Sequence, residues 1–101
     1  MHGPCAICDR TESLTRHHLI PRTRHSNRRT KLRFPKEQLL KTVGVCTPCH
    51  KQIHALIQEK DLERTWNTVE KLRSHPSLRT FAEWIRAKPP GFSCPSHGKW
   101  T

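Results

Sequence analysis

Two C-x2-C motifs are the first feature of this sequence with a clear chemical meaning. They are "CAIC" and "CTPC", and their cysteines are Cys5, Cys8, Cys46 and Cys49. Two such motifs can surround one tetrahedral Zn²⁺ with four thiolates. A redox motif or two disulfides would use the same residue types, but a redox centre needs only one C-x-x-C. Zinc binding also contributes directly to folding, so the spacing predicts a structural zinc site.

Four histidines form a second candidate site. His50 and His54 are four residues apart, so on a helix both imidazoles face the same side. In "TRHHLIPR", His17 and His18 are adjacent, and on a strand they point to opposite faces. One of this pair can complete a three-ligand metal site while the other stays free to take a proton from water. A metal ion and a general base next to a basic segment suggest phosphodiester hydrolysis. The alternative is that the four histidines are surface residues without a joint role.

A zinc finger with two cysteine and two histidine ligands is the competing use of the second motif. It would combine Cys46 and Cys49 with His50 and His54. Cys49 and His50 are adjacent, so no segment is left to span from hairpin to helix. The sequence therefore excludes this finger.

Two predicted strands flank a long basic segment. After a knuckle at 1–13, "SLTRHHLI" has the length and apolar marks of a short strand, which Pro21 ends. The β-branched, alternating "KTVGVC", 41–46, predicts a second strand. Between them, 22–37 has no sustained period and is predicted to be a loop; loops of that length in small domains are usually functional or mobile.

Helices are predicted for most of the remaining chain. Thr47 is a plausible N-cap, with Pro48 at the first helical position. A helical pattern covers 61–75, and after a break at Pro76 another covers 77–87, each with an apolar stripe that favours structural packing. The stripes comprise Leu62, Trp66, Val69, Leu72, Leu78, Phe81, Ala82 and Ile85.

Composition points to a polyanionic partner. The 101 residues include 19 Lys and Arg against 8 Asp and Glu, a net charge of +11, and only 33% of them are hydrophobic. From Arg16 to Lys36 there are eight basic residues and no acidic one. Nucleic acid is the first candidate partner and an anionic membrane the second, whereas a merely solvated loop is the alternative. No signal peptide or membrane span is evident, so a cytoplasmic location is expected, where paired cysteines usually hold metal.

Taken together, "CAIC", "HHLIP" and "CTPCHKQIH" closely resemble the HNH nuclease family over about residues 5–59. The resemblance implies a small ββα-metal (HNH) finger with four-cysteine zinc knuckles, and the two helical patterns that follow predict a C-terminal helical hairpin, so the expected fold class is α+β. We expect the nuclease core at 1–59, a helical extension packed on it at 60–88, and a flexible tail at 89–101.

The resemblance also implies a role for each histidine. His17 would bind the catalytic divalent ion together with His50 and His54, and His18 would be the general base. Mg²⁺, Mn²⁺, Ni²⁺ or Zn²⁺ would serve as the ion, and cleavage would leave 5′-phosphate and 3′-hydroxyl ends. Where the family has its central asparagine, nine residues before His50, this sequence has Lys41, so Lys41 or Thr42 is expected to orient the base.

The expected function is a metal-dependent endonuclease that nicks or cuts duplex DNA with little sequence preference. Single-stranded DNA or RNA remain possible substrates, no membrane partner is expected, and the choice between monomer and homodimer stays open. The alternative is a zinc-stabilised nucleic-acid-binding module without catalysis. The candidate phosphate-binding residues are Arg16, Arg22, Arg24, Arg28, Arg29, Lys31, Arg33 and Lys51.

Overall fold

Three antiparallel strands form the sheet that carries the histidine pair. A computed structural model describes residues 1–89 and contains β1 (His2–Pro4), β2 (Thr11–His18) and β3 (Thr42–Cys46), in the order β1-β2-β3. The protein is thus a small α+β domain, as predicted. The tail beyond residue 89, with Cys94, lies outside the described residues.

The register of β2 against β3 decides which way the two histidines point. His17 pairs with Val43 and His18 with Thr42, so the two imidazoles project from opposite faces. Gly44 lies in the middle of β3, where a Cβ atom would come within 2.9 Å of Leu14 Cδ1. A larger residue at this position would therefore require the Leu14 side chain to shift.

The predicted knuckle at 1–13 contributes more regular structure than its sequence indicated. Its first residues form β1, which pairs with the start of β2 through Gly3 and Glu12. A three-residue strand containing Gly and Pro has little strand propensity of its own. It forms because β2 offers a free edge, which is tertiary information.

The segment 22–37, predicted to be a loop, is instead largely helical. It holds a 3₁₀ turn (Arg22–Arg24), α1 (Arg28–Arg33) and the start of α2 (Lys36–Leu39). The Asn27 side chain accepts a hydrogen bond from the Thr30 N–H group and so begins α1 as an N-cap. Neither helix exceeds six residues, which is too short to produce a visible apolar period.

Helix α3 (Thr47–Leu56) follows β3 without a connecting loop. Its N-cap position is Cys46, one residue earlier than predicted, and Pro48 lies in the first turn, where its missing N–H costs nothing. Ile53 is fully buried in the core cluster, and α3 contacts β2, β3 and α6. His50 and His54, on another face of α3, lie against His17 of β2.

Three helices complete the described chain where two were predicted. They are α4 (Glu59–Arg64), α5 (Val69–Ser74) and α6 (Pro76–Arg86). The predicted helix 61–75 is interrupted, because the Thr68 hydroxyl accepts from the Lys71 N–H group and starts a new helix. The apolar stripe of α6 is buried throughout, as predicted.

One buried cluster includes residues from both the expected core range 1–59 and the expected extension 60–88. The cysteine-rich end of the sheet and α3 pack against the apolar face of α6. Of the described helices, none combines the length and apolar character needed to cross a membrane.

Candidate metal centres

The four paired cysteines lie together in the core. Cys5 and Cys8 belong to the turn between β1 and β2, Cys46 ends β3, and Cys49 lies in the first turn of α3. All four are at most 1% exposed, none forms a disulfide, and their Sγ atoms all lie within 4.8 Å of one another. Four convergent thiols from two C-x2-C motifs match the donor set of a structural metal site.

Backbone geometry around the first motif supports metal binding. The N–H groups of Ile7 and Cys46 point at the Cys5 sulfur, at 3.4 and 3.2 Å. Asp9, just after the motif, has a φ of 68°, a left-handed conformation that Asp adopts more readily than most residues. Arg86 Nε donates to the Cys8 carbonyl oxygen at 2.9 Å. The turn that carries Cys5 and Cys8 is therefore stabilised by N–H groups that donate to the Cys5 sulfur and by the Arg86 side chain of α6.

The electrostatics of the cluster favour a cation. The pKa of Cys5 is lowered, above all by a hydrogen bond from the Cys46 thiol. The pKa of Cys49 is raised, first by Cys46 and then by the thiols of Cys5 and Cys8. Four thiols so close together cannot all ionise unless a cation compensates the charge. The buried guanidinium of Arg10 lies 3.7 Å from the Cys46 sulfur, but it also forms an ion pair with the buried carboxylate of Glu12 at 2.7 Å, which balances its charge. The cluster fits a structural metal such as zinc.

A second cluster joins the sheet to α3. The ring centroid of His17 lies 5.3 Å from that of His50 and 5.3 Å from that of His54, and the two helix rings are 5.0 Å apart. One nitrogen from each ring lies within 4.8 Å of the other two. The alternation along β2 and the four-residue spacing on α3 together bring these side chains to one place.

His17 is the buried member of this cluster. It is 1% exposed, and neither ring nitrogen has a hydrogen-bond partner among the described residues. Burial, followed by the charges of His54 and His50, lowers its pKa to about 3. Burying both nitrogens unpaired costs on the order of 1–3 kcal/mol per group. A metal ion that accepts one of the lone pairs would remove part of that cost.

Thr15 is a contact residue that the sequence interpretation missed. Its Oγ1 lies 2.7 Å from His50 Nδ1 and 3.1 Å from the Val45 carbonyl oxygen. The signal was available, because residues two apart on a strand share a face and Thr15 is two residues before His17. A hydroxyl at that position can reach the same helix face as the histidine.

His18 lies on the other side of β2 from His17 and contacts different groups. It borders an open depression of about 250 Å³, whose lining also includes His50 and His54. Burial, then the positive charges of His25, Arg22 and Arg16, lower its pKa. The imidazole is therefore neutral at pH 7, the form that accepts a proton.

His25 is a second residue that the sequence did not single out. Its ring centroid is 5.7 Å from that of His18, and its Nε2 donates to the Ile20 carbonyl oxygen at 2.8 Å. The prediction that 22–37 is a loop hid this contact, because only the turn at Arg22–Arg24 brings His25 back to the end of β2.

Of the two residues expected to orient His18, Thr42 lies opposite it on the neighbouring strand, whereas Lys41 lines a different groove. Thr42 is the cross-strand partner of His18. The Lys41 carbonyl oxygen accepts from the Leu19 N–H group at 3.2 Å, while Lys41 itself lines another surface groove, which does not include His18. Lys41 thus contacts the end of β2 through its backbone.

The candidate phosphate-binding residues fall into two groups. Arg24 and Arg33 form ion pairs with the buried carboxylate of Glu63, at 2.7 and 3.3 Å. The other candidates are exposed and form no ion pair within the described part of the chain. They are Arg16, Arg22, Arg28, Arg29, Lys31 and Lys51.

Comparisons with known proteins place the chain in a family. YisB of Bacillus subtilis (strain 168) is 39% identical over 89 residues, which cover 87% of this chain and 78% of YisB. The chain belongs to the YisB family. YisB is described only as an uncharacterized protein, so membership of the YisB family assigns no activity. No protein-family model matches the chain, and no solved structure matches it significantly.

Proposed function

We propose that the protein is a metal-dependent endonuclease of the HNH type, with β2, β3 and α3 as its ββα-metal finger. The observation that carries the proposal is the cluster of His17, His50 and His54 beside a neutral His18. Three imidazoles are a common donor set for a divalent ion, and coordination positions remain for substrate. The His17 ring nitrogens, buried and without a hydrogen-bond partner in the described part of the chain, support the fit.

In this proposal His18 is the general base. Its ring takes a proton from a water molecule, whose oxygen then forms a bond to the phosphorus as the bond to the 3′ oxygen breaks, and the departing 3′ oxygen takes a proton from solvent water. A bound Mg²⁺ or Mn²⁺ would supply stabilisation of the negative charge that develops on the phosphoryl oxygens. His25 limits the space available to the His18 ring, and Arg22 and Arg16 border the same depression, where they can attract phosphate.

The substrate of the proposed enzyme is DNA, bound through its backbone. The exposed cations Arg28, Arg29 and Lys31 lie on α1, and Lys51 borders an open surface together with His50 and His54. Contacts of this kind orient a duplex without distinguishing bases. Low sequence preference is therefore expected.

A plasmid assay tests the proposal. Supercoiled DNA with Mg²⁺ or Mn²⁺ should be nicked or linearised by the wild type, and His18→Ala should lower the rate by about 10²- to 10⁴-fold, the usual contribution of a general base. His2→Ala, which changes an exposed histidine on β1, is the matched control. Equal activity of His18→Ala and wild type would refute the assignment of the base.

The second candidate function is a zinc-stabilised nucleic-acid-binding module without catalysis. The position of Lys41 favours it, because Lys41 lines a groove that does not include His18, which leaves Thr42, the cross-strand partner of His18, as the remaining candidate to replace the family's central asparagine. This function predicts salt-sensitive binding, no cleavage with any divalent ion, and one tightly bound metal per chain. The endonuclease needs two metal sites, so elemental analysis after addition of Mn²⁺ distinguishes the two functions.

A further inference from the structure

The hydroxyl of Thr15 lies between two groups that constrain its proton. On one side is the Val45 carbonyl oxygen at 3.1 Å, and on the other is His50 Nδ1 at 2.7 Å. A carbonyl oxygen only accepts hydrogen bonds, and a threonine hydroxyl has a single proton to donate. Both contacts are satisfied when Thr15 donates to Val45 and accepts from an N–H group at His50 Nδ1.

This hydrogen-bond assignment has a consequence for His50. A neutral imidazole carries one proton, so a proton on Nδ1 leaves the lone pair on Nε2. Metal-binding histidines usually donate their other ring N–H to an oxygen acceptor, which fixes both tautomer and ring orientation. Thr15 provides such an acceptor, and the Val45 carbonyl on the neighbouring strand holds the hydroxyl in place.

We propose that Thr15 is a positioning residue that fixes His50 in the Nδ1–H tautomer and so presents Nε2 to a divalent ion. The part that concerns the ion rests on the proposed function; the tautomer does not. Thr15 does not support His54, the other histidine of α3, in this way, because among the described residues its side chain hydrogen bonds only to Val45 and His50.

The tautomer can be measured without metal at the histidine cluster. Long-range ¹H–¹⁵N NMR of the full chain, with zinc retained but no other divalent ion, should show His50 protonated on Nδ1 in the wild type. Thr15→Val keeps the shape but removes the acceptor, so the Nε2–H form should appear, whereas Thr15→Ser should keep the wild-type signal. Thr11→Val, at an exposed threonine of the same strand, is the matched control.

Affinity for Mn²⁺, measured by calorimetry, is the second readout. Thr15→Val should weaken Mn²⁺ binding by about 10- to 100-fold, the usual effect of removing the hydrogen-bond acceptor of a metal-binding histidine. Thr15→Ser, which keeps the hydroxyl, should bind Mn²⁺ as tightly as the wild type. A wild-type His50 protonated on Nε2, or a Thr15→Val spectrum identical to wild type, would overturn the proposal. If the wild type binds no Mn²⁺ at this cluster, the proposed function fails, and the NMR result still decides the role of Thr15.

Discussion

Arg24 Nε donates a hydrogen bond to Glu63 Oε1 at 2.7 Å, so a carboxylate on α4 holds a residue of the basic segment. The same carboxylate accepts from the Thr30 hydroxyl at 2.7 Å and pairs with Arg33 at 3.3 Å. Glu63 is 1% exposed, and its three partners come from the 3₁₀ turn and α1. One buried acid thus fastens the segment that carries the exposed cations Arg28, Arg29 and Lys31 to α4.

Glu63→Gln should lower stability in a pH-dependent way. Burial alone would raise the pKa of Glu63, but hydrogen bonds from Arg24 and Thr30 and the charges of Arg24 and Arg33 lower it below its ordinary value of 4.5. The unfolded state therefore binds the proton more readily, and the stabilisation is complete above about pH 4.5 and is lost as the pH falls through the folded pKa.

The expected loss of unfolding free energy for Glu63→Gln at pH 7 is about 1–3 kcal/mol, with a smaller difference from wild type in acid. Urea unfolding at pH 7 and at pH 3 measures it. Glu70→Gln, which changes an exposed carboxylate on α5, should have almost no effect. A constant difference across that pH range would contradict the role given to the charge.

Removal of an exposed arginine should change the salt dependence of DNA binding. For each phosphate that the protein no longer neutralises, the slope of log K against log salt concentration becomes shallower by about 0.9. Arg29→Ala should show this decrease with unchanged thermal stability. Arg24→Ala should mainly lower stability, because Arg24 is already paired with Glu63. Fluorescence anisotropy at several salt concentrations measures the slope, and equal slope changes for both variants would argue against the division of the basic residues.

Substitution in the cysteine cluster should affect folding itself. Cys8→Ser removes one of four buried donors, and binding of structural zinc contributes about 10–16 kcal/mol in small metal-dependent domains. We expect loss of bound zinc and of a cooperative thermal transition. Cys94→Ser is the control, because Cys94 belongs to neither C-x2-C motif. Cooperative unfolding of a zinc-free Cys8→Ser protein would refute a structural metal.

The two clusters should lose metal independently when a histidine is replaced. His54→Gln removes an exposed donor from the histidine cluster and leaves the cysteines unchanged. The expected metal count falls from two to one per chain after saturation with Mn²⁺ and gel filtration. Retention of two metals by His54→Gln would show that the second ion binds elsewhere.

Local pattern was sufficient to predict how the metal-ligand candidates meet. Alternation along β2 separates His17 from His18, and helical spacing places His50 and His54 on one face. Both patterns depend only on the period of regular secondary structure. The convergence of the cysteines follows equally from two short motifs at the ends of adjacent elements.

The parts that were mispredicted depend on contacts distant in sequence. Helix α1 is only six residues long and is held by Glu63, which lies 33 residues after its partner Thr30. The break before α5 depends on one capping hydroxyl, Thr68, within an otherwise helical pattern. His25 reaches His18 only because the 3₁₀ turn redirects the chain. Short elements of this kind carry too little periodicity to be recognised without their tertiary partners.

Cys49 and His50 are consecutive residues in the first turns of α3. The thiol points into the core, and the adjacent imidazole points to the opposite cluster. The position of His50 therefore depends on the anchoring of Cys49, which is fully buried, whereas His50 is only partly buried. If the histidines bind the proposed catalytic ion, assembly should accordingly follow a fixed order, with the thiols loaded first and the imidazoles second, and zinc shortage should also prevent binding at the histidine cluster.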